Sequence, residues 1–514
     1  MKMQTRREFL KAFGGAVVFS TSIRVLGTTE QVARGDKTTR PNILLFFPDQ
    51  HRFDWLGTNP KLPVRTPNLD RLAKHGVLFS RAFCPSPLCA PARACLASGK
   101  EYDRCGVENN GFDYPLAQRT FYTLLRDSGY HVAGVGKFDL HKSTLNWGLD
   151  GSRLVREWGF SEGIDNAGKW DAIRSGAEVP KDPYMAYLHR RGLAAIHVND
   201  FAKRRNYAAT FPTPLPEEAY CDNWVGNNGL QFLRTFPKDR PWFLIANFTG
   251  PHGPMDVTER MYKRWQGVDF PQPHQCEKFD PATHVQIRRN YSAMVENIDR
   301  WLGIYVEEMK RRGDLSNTII AYSSDHGEML GDHNRWGKGV AYQPSVGVPL
   351  IVWGPGVVNG LVSDALVSVM DLTATFLDYA SVPRPQDMDS ISLRPLLEGK
   401  TKSHRPHVFS GLNKWRMVFD GKYKLILTEG KSPVLYDLVN DPFEDRNIAD
   451  QSPKHVERLG KLIRERAGFP MEERGLEPHP ITSRSPATSV SCPASASARE
   501  GLSLSPGPPQ TSLS

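Results

Sequence analysis

Runs of apolar residues recur along the chain, and polar or charged residues follow directly after them. Four continuous apolar runs predict strands buried on both faces of a parallel sheet. These runs are residues 41–47, 130–135, 241–248 and 317–323. Apolar residues at helical spacing predict helices over 119–129 and from about 283 to 312. The core positions predicted for the longer helix are Tyr291, Met294, Ile298, Leu302 and Tyr305. The pattern therefore predicts an α/β fold.

The pattern changes near residue 407, where short segments of alternating residues begin. Residues 415–419 and 423–427, joined by a turn at Asp420-Gly421, predict a β-hairpin, and a helix is predicted from about 453 to 467. Beyond Pro480 the chain is rich in Ser, Pro and Ala, which predicts disorder. The predicted organisation is a signal segment (1–35), a large catalytic domain (36–405), a smaller subdomain (406–480) and a tail (481–514).

The N-terminal segment has the features of an export signal. Adjacent Arg6 and Arg7 precede Phe9-Leu10-Lys11 and a weakly apolar stretch at 12–23. This arrangement is typical of Tat signals, so the Tat translocon is a predicted partner and a periplasmic or secreted location is predicted. A basic amphipathic helix is the alternative interpretation. No membrane span is predicted, because Arg24 interrupts a run already shorter than about 20 apolar residues.

Net charge and cysteine content limit the partners and the cysteine-based sites that the sequence predicts. The formal net charge is +9, but residues 1–40 hold eight Lys/Arg and three Asp/Glu, so about +4 remains without them. This mild excess fits an anionic substrate and does not require nucleic acid, so no nucleic-acid partner is predicted. The seven cysteines show no metal-ligand or disulfide-scaffold spacing. A local disulfide among Cys84, Cys95 and Cys105 is an open alternative.

Two stretches carry candidate chemistry. Asp49 and Gln50 follow the first predicted strand, and ligand sites in open α/β sheets lie at the carboxyl ends of strands. Their oxygens are hard ligands for Ca²⁺ or Mg²⁺, although an Asx-type turn explains the pair equally well. Cys89 begins a predicted helix, where the dipole stabilises a nucleophile or an anion. Arg93 lies one turn later on the same face, and its planar donors suit an oxyanion.

The stretch Cys89-Ala90-Pro91-Ala92-Arg93, followed by small apolar residues and Gly99, resembles the signature of the type I sulfatase family. In that family, part of the alkaline phosphatase-like superfamily, the cysteine is oxidised to formylglycine, whose hydrated aldehyde is the nucleophile. A formylglycine-generating or anaerobic maturation enzyme is therefore an implied partner. A buried or disulfide-bonded cysteine is the alternative interpretation of Cys89. The resemblance implies a mixed sheet flanked by helices, with a smaller C-terminal α+β subdomain carrying an antiparallel sheet.

Further stretches match the family in the same order along the chain. Ser-Asp-His-Gly-Glu at 324–328 resembles the family's metal-binding segment and implies Asp325 and His326 as ligands. Lys137 and Lys338 match its two substrate-binding lysines. The resemblance covers roughly residues 40–450.

His252 lies in a stretch that resembles the family's Pro-His-x-Pro segment, which favours a catalytic role over a structural one. The chain departs from the family after its first lysine. Asp139 stands where a histidine is expected, and His141, two residues later, is a candidate only. The Asp139 carboxylate is expected to face a cationic or hydroxyl part of the substrate. Residues 147–220 resemble an insertion that sets substrate choice, and a solvated loop is an equal alternative.

The resemblance and the residue chemistry together indicate hydrolysis of a sulfate monoester. One cation, Ca²⁺ with Mg²⁺ as the alternative, is predicted at Asp49, Gln50, Asp325, His326 and the modified Cys89. The sulfate oxygens are assigned to Arg93, Lys137 and Lys338, and protonation of the leaving alcohol is assigned to His252. The predicted substrate is a sulfated carbohydrate or another sulfated small molecule. Two alternatives stay open: a phosphonate or phosphate monoester hydrolase of the same superfamily, and a non-catalytic binder of sulfated glycans.

Overall fold

The computed structural model describes residues 40–467. Its strands are β1 (Asn42–Phe46), β2 (Val77–Phe79), β3 (Ala82–Phe83), β4 (His131–Gly136), β5 (Glu162–Asp165), β6 (Trp242–Asn247), β7 (Thr318–Ser323), β8 (Leu350–Trp353), β9 (Leu361–Ser363), β10 (Val367–Ser368), β11 (Val408–Leu412), β12 (Trp415–Phe419), β13 (Tyr423–Thr428) and β14 (Val434–Asp437). Its α-helices are α1 (Pro67–His75), α2 (Cys89–Ser98), α3 (Phe121–Asp127), α4 (Lys169–Gly176), α5 (Pro183–Arg190), α6 (Ala194–Lys203), α7 (Cys221–Thr235), α8 (Glu259–Trp265), α9 (Pro281–Arg312), α10 (Gln343–Val346), α11 (Asp371–Tyr379), α12 (Arg394–Leu397) and α13 (Pro453–Ala467). Short 3₁₀-helices lie at Tyr102–Arg104, Lys142–Thr144, Glu217–Ala219, Leu315–Asn317 and Asp332–Asn334.

The predicted export signal (1–35) and disordered tail (481–514) lie outside the described residues. The domain boundaries drawn from the sequence stay predictions. Of the helices between residues 40 and 467, none combines the length and the apolar character needed to cross a bilayer.

An eight-stranded mixed sheet forms the centre of the fold, in the strand order β5-β4-β6-β1-β7-β8-β2-β9. The first five strands of that order are parallel, whereas β8 runs antiparallel to both of its neighbours. The four strands predicted from the apolar runs are β1, β4, β6 and β7, and they lie side by side. Because neighbouring parallel strands end at the same edge of a sheet, the polar residues that follow them are brought together.

Helices cover both faces of this sheet, which explains why its strands are continuously apolar. Along β1, Ile43 and Leu45 join one core with residues of α2 and α11, whereas Leu44 and Phe46 join a second core with residues of α7 and α9. The ring of Tyr305 on α9 packs edge-on against Phe46, with ring centroids 5.0 Å apart. The predicted α/β class is confirmed.

The predicted helices form close to their predicted bounds. The long helix α9 begins at Pro281, where the Asp280 side chain accepts a hydrogen bond from the Thr283 N–H at 2.9 Å. It ends before Gly313, which has a φ of +77°. All five predicted core positions of α9 are buried.

Residues 147–220 are folded, so the alternative of a solvated loop is wrong. They contain β5, which pairs with β4 in the main sheet, and the helices α4, α5 and α6. Trp147, Tyr184 and Leu188 are buried in the core that includes α7 and α9. The sequence pattern missed these helices because each spans ten residues or fewer, which gives a weak periodic signal.

The C-terminal part contains a separate four-stranded antiparallel sheet, β11-β12-β13-β14, as the resemblance implies. The predicted hairpin is β12 and β13, with Phe419 opposite Lys424 beside the turn. Leu459 and Ile463 of α13 share a core with Leu425 of β13.

The six cysteines between residues 40 and 467 are free thiols. Cys84, Cys95 and Cys105 are among them, so the alternative of a local disulfide is not realised in this part of the chain.

Gly136 ends β4 directly before Lys137 and is pressed against β6. Its φ is +102°, and a Cβ built at this position would overlap the carbonyl oxygen of Asn247. The Lys137 N–H donates to the same carbonyl at 3.0 Å. Because only glycine meets both constraints, this close approach fixes the point at which Lys137 leaves the strand.

Replacing Gly136 with alanine should lower the free energy of unfolding by about 2–5 kcal/mol, because a strained φ is combined with overlap against backbone. The matched control is Gly313→Ala. Gly313 also has a positive φ, but a Cβ there would meet nothing within 4 Å, so this variant should lose only about 1–2 kcal/mol. Urea denaturation of both variants measures the difference, and equal losses would contradict the role given to the Asn247 contact.

Candidate active site

Four buried donor groups meet at the carboxyl edge of the main sheet. They are the side chains of Asp49, Cys89, Asp325 and His326, whose ligand atoms all lie within 4.8 Å of one another. Asp49 follows β1, Asp325 and His326 follow β7, and Cys89 is the first residue of α2. Two adjacent strand ends and one helix N-terminus therefore bring these four residues together. We refer to them below as the donor cluster.

The Cys89 sulfur contacts two other members of the donor cluster. Its Sγ lies 3.3 Å from His326 Nε2 and 3.8 Å from Asp49 Oδ1. On the other side of the imidazole, His326 Nδ1 lies 3.0 Å from the carbonyl oxygen of Gly327. When Nδ1 carries the proton and donates to that carbonyl, Nε2 presents its lone pair to the cluster, as a metal-binding imidazole requires.

Two buried cations balance the negative charge of the donor cluster. Lys137 Nζ forms an ion pair with Asp49 Oδ2, and the Nε and Nη2 atoms of Arg93 each lie 3.0 Å from Asp325 Oδ2. Arg93 Nη1 also donates to the Lys137 carbonyl oxygen at 2.6 Å and to Asn247 Oδ1 at 2.9 Å. Each carboxylate therefore has a cationic partner, without which its burial would be strongly unfavourable.

These charges shift the proton affinities within the donor cluster. Burial raises the pKa of Asp49, but Lys137 and His252 outweigh it and hold that pKa well below the ordinary carboxyl value. Burial also raises the pKa of the Cys89 thiol, but Lys137 and Lys338 bring it well below its usual range. The shift favours the anionic form of both groups, which is the form that binds a cation.

Gln50 lies at the rim of the donor cluster. Its backbone has a φ of +70°, and its N–H donates to Asp325 Oδ1 at 3.0 Å. Its amide oxygen accepts a hydrogen bond from Lys338 Nζ, and its amide nitrogen donates to Glu328. The half-buried Lys338 is thereby brought next to the cluster through Gln50.

His252 lies in the loop after β6 and is half-buried. Its Nδ1 lies 2.6 Å from the carbonyl oxygen of Gly253, which leaves Nε2 without a hydrogen-bond partner among residues 40–467. Its charge lowers the pKa of Asp49, so the imidazole is close enough to act on the donor cluster electrostatically.

The departure from the family pattern at position 139 has a structural counterpart. Asp139 is buried, and its Oδ2 lies 3.1 Å from Lys137 Nζ and 2.9 Å from Lys142 Nζ. Its partners are thus two lysines of this chain. His141 lies outside the donor cluster. Its Nε2 lies 3.0 Å from Asp165 Oδ2. Burial lowers the pKa of His141.

Two residues for which the sequence analysis predicts no role border the site. Glu328 is fully buried, and its Oε2 accepts hydrogen bonds from the Gln50 amide and from the Tyr207 hydroxyl, the latter at 3.1 Å. Glu328 belongs to the Ser-Asp-His-Gly-Glu stretch, and this position could have indicated its role at the site. Tyr207 gives no such signal, because its contact joins residues 121 positions apart.

The donor set fits a divalent cation. Carboxylate oxygens suit Ca²⁺, Mg²⁺ and Mn²⁺, and an imidazole nitrogen adds a ligand that first-row metals also accept. The low pKa of Asp49 keeps its oxygens free of protons, and the Gly327 carbonyl orients the imidazole of His326. Asp49, Asp325 and His326 are therefore, together with Cys89, a buried group that could hold a metal ion.

Comparison with known proteins places this site in a family. The sulfatase family profile matches residues 41–382, and the profile of the C-terminal part of N-sulphoglucosamine sulphohydrolase matches residues 331–466. An arylsulfatase of Clostridium perfringens is 26% identical over 456 residues, which cover 82% of this chain and 93% of the relative. An N-acetylglucosamine-6-O-sulfatase of Bacteroides thetaiotaomicron is 27% identical over 415 residues, covering 72% and 73%.

A solved structure shows the same fold. The phosphonate monoester hydrolase of Agrobacterium radiobacter superposes with a TM-score of 0.71 at 24% identity, covering 84% of this chain and 96% of that one. The sulfatase profile spans more than half of the chain and contains the whole donor cluster. The chain therefore belongs to the sulfatase family, within the alkaline phosphatase-like superfamily, and is a sulfuric ester hydrolase.

Proposed function

We propose that this sulfatase cleaves a sulfate monoester of a carbohydrate and that Cys89, oxidised to formylglycine, is its nucleophile. The observation that carries the proposal is the position of Cys89 inside the donor cluster, where its sulfur contacts Asp49 and His326. A nucleophile for an anionic ester is useful only where cations neutralise the ester oxygens. Arg93 and Lys137 are such cations, and both are buried beside the donor cluster.

The roles of the other residues follow from the charge of the substrate. A sulfate monoester resists hydrolysis because its oxygens repel an incoming nucleophile. In this proposal Arg93, Lys137 and Lys338 bind those oxygens, and their charges offset the repulsion. His252 protonates the departing alcohol through Nε2. Formylglycine at position 89 would, as its hydrate, supply the nucleophilic hydroxyl group, and the second hydroxyl of the hydrate would allow the sulfate to be released and the aldehyde to re-form.

The proposed cation is Ca²⁺, with Mg²⁺ as the alternative, and it polarises the sulfate when bound. Asp49, Asp325, His326 and the modified side chain at position 89 hold it. Gln50 is the further proposed ligand. Because its amide oxygen bonds to Lys338, sulfate binding by that lysine would release the oxygen for the cation.

The carbohydrate substrate is supported by the names of one relative and one family profile. The relative is an N-acetylglucosamine-6-O-sulfatase, and the C-terminal profile is that of N-sulphoglucosamine sulphohydrolase. Tyr207 brings residues 147–220 to the edge of the site, which supports a role for this segment in substrate choice. A phosphonate or phosphate monoester is the alternative substrate, because the same cations would bind phosphoryl oxygens.

Export and maturation complete the proposal. A Tat signal at residues 1–35 would carry the folded enzyme to the periplasm or beyond, after a maturation enzyme had oxidised Cys89 in the cytoplasm. Both steps rest on the N-terminal residues and on the Cys89 stretch.

Replacing Cys89 with alanine should lower kcat/KM for an aryl sulfate by at least about 10³-fold, because the nucleophile is removed. Mass spectrometry of the wild-type peptide that contains position 89 should detect an aldehyde in place of the thiol. Cys95→Ala is the matched control, since Cys95 is a buried cysteine of the same helix outside the donor cluster, and it should keep wild-type kinetics. Full turnover by the Cys89→Ala variant would exclude the nucleophile assignment.

Removal of the cation should abolish turnover without unfolding the protein. Dialysis against a chelator should lower kcat by at least about 10²-fold, because the sulfate loses its Lewis acid. Calcium should restore more activity than magnesium, and elemental analysis should find one divalent ion per wild-type chain and far less in Asp325→Asn. Undiminished turnover by metal-free enzyme would rule out the cation's role, and preferential recovery with magnesium would correct its identity.

A matched ester panel separates the candidate reactions. kcat/KM for an aryl sulfate should exceed that for the same aryl phosphate or phosphonate by at least about 10²-fold. A sulfated amino sugar should be turned over, whereas its unsulfated form should not inhibit at equal concentration. Preference for the phosphorus esters would favour the alternative hydrolase, and an unmodified thiol with no turnover would favour a binding protein.

A further inference from the structure

The N-terminal turn of α4 lies directly against Lys137, although α4 belongs to the segment 147–220, which lacks clear periodicity. Gly168 precedes the helix with φ −65° and ψ 162°, a conformation open to any residue. A Cβ built on Gly168 would lie 2.9 Å from Lys137 Cε and 3.4 Å from its Nζ. The missing side chain at position 168 therefore makes the room that Lys137 occupies.

A buried chain of alternating charges joins Lys137 to the same helical turn. Lys137 Nζ lies 3.1 Å from Asp139 Oδ2, which also binds Lys142 Nζ at 2.9 Å. Lys142 Nζ in turn lies 2.8 Å from Asp171 Oδ2 on α4. All four side chains are at most 11% exposed, so these pairs are only weakly screened by solvent.

This chain of charges determines how Lys137 is shared between two carboxylates. Asp49 of the donor cluster attracts its ammonium group from one side, and Asp139 attracts it from the other. If Asp139 had no second cation, it would draw Lys137 away from the cluster more strongly. Lys142 supplies that second cation, and Asp171 holds Lys142 in place.

The same turn also supports the loop that carries His252. Lys169 Nζ lies 2.7 Å from Asp256 Oδ1, and both side chains are buried. Lys169 and Asp171 are two positions apart on α4, so one helical turn reaches two loops that border the site.

We propose that Gly168 and Asp171 are positioning residues, which set the place of the Lys137 ammonium group at the sulfate-binding side of the site. The proposal deepens the proposed function and rests on it, because it takes Lys137 as a ligand of the sulfate. It gives residues 147–220 a part in the rate of the reaction in addition to substrate choice.

Gly168→Ala tests the close contact without changing a charge or straining the backbone. The new Cβ must displace the Lys137 side chain, so kcat/KM for an aryl sulfate should fall by about 10- to 100-fold while the thermal midpoint stays near that of the wild type. Gly460→Ala in α13 is the matched control. Its nearest neighbour would be the flexible end of Arg464 at 3.2 Å, and its kinetics should be those of the wild type.

A double-mutant cycle shows whether Gly168 acts through Lys137. In a Lys137→Ala background there is no ammonium group to displace, so adding Gly168→Ala should change kcat/KM by less than about twofold. If the two losses multiply instead, position 168 acts on something else and the proposal is overturned.

Asp171→Asn tests the chain of charges separately and serves if the first variant fails to fold. It should lower kcat/KM by about 3- to 30-fold, and Asp171→Glu should recover part of the loss. The loss should vanish in the Lys137→Ala background. Arg174→Gln is the control, because it removes the exposed partner of Asp171, at 3.5 Å, and leaves the buried chain intact.

The outcomes separate the two proposals. If the wild type does not cleave sulfate esters, or if Lys137→Ala is as active as the wild type, both proposals fail. If Lys137→Ala is impaired while Gly168→Ala and Asp171→Asn keep wild-type kinetics, only the positioning proposal fails.

Discussion

The close approach of two buried carboxylates, Asp49 and Asp325, is the constraint on which the rest of the site depends. Their ligand oxygens lie within 4.8 Å of each other, in a cluster closed to solvent. Like charges at this distance repel strongly where water is excluded, and burial together with Asp49 raises the pKa of Asp325. The fold accommodates the pair because Lys137 and Arg93 are buried against it. The ligand oxygens of the two carboxylates also face Cys89 and His326, with which they could hold a metal ion.

The order of the strands explains how such a concentration of charge is assembled. The two carboxylates leave neighbouring strands, β1 and β7, while Lys137 leaves β4, two strands away from β1. Arg93 connects these positions, because one guanidinium binds Asp325, the Lys137 carbonyl and Asn247 at the end of β6. Its role is therefore partly structural. It fixes the strand ends relative to one another while it supplies charge to the site.

The sequence predicted those features that depend on local pattern. Strands buried on both faces have to be apolar throughout, so β1 and its neighbours could be recognised. The polar residues that follow these strands lie close together, as predicted. The unusual Asp139 could also be recognised from the sequence, but its partners could not. Its ion pair with Lys142 depends on a backbone turn in which Asp139 has a φ of +51°. The contacts of Tyr207 and Asp171 could not be foreseen. Each joins a segment without clear periodicity to a loop distant in sequence, and neither leaves a repeating pattern.

A side chain placed by a strand end and a side chain placed by contacts with another segment respond differently to sequence change. Asp49 is placed by the end of β1, so its position can change only if the main sheet changes as well. Lys137 differs, because its main chain is fixed by Gly136 while its side chain leans on α4 through Gly168 and the charges that lead to Asp171. The segment that contains α4 also borders the substrate side through Tyr207. Under the proposed function, a change there that admits a new sugar would also shift the Lys137 side chain, which would link substrate choice to rate.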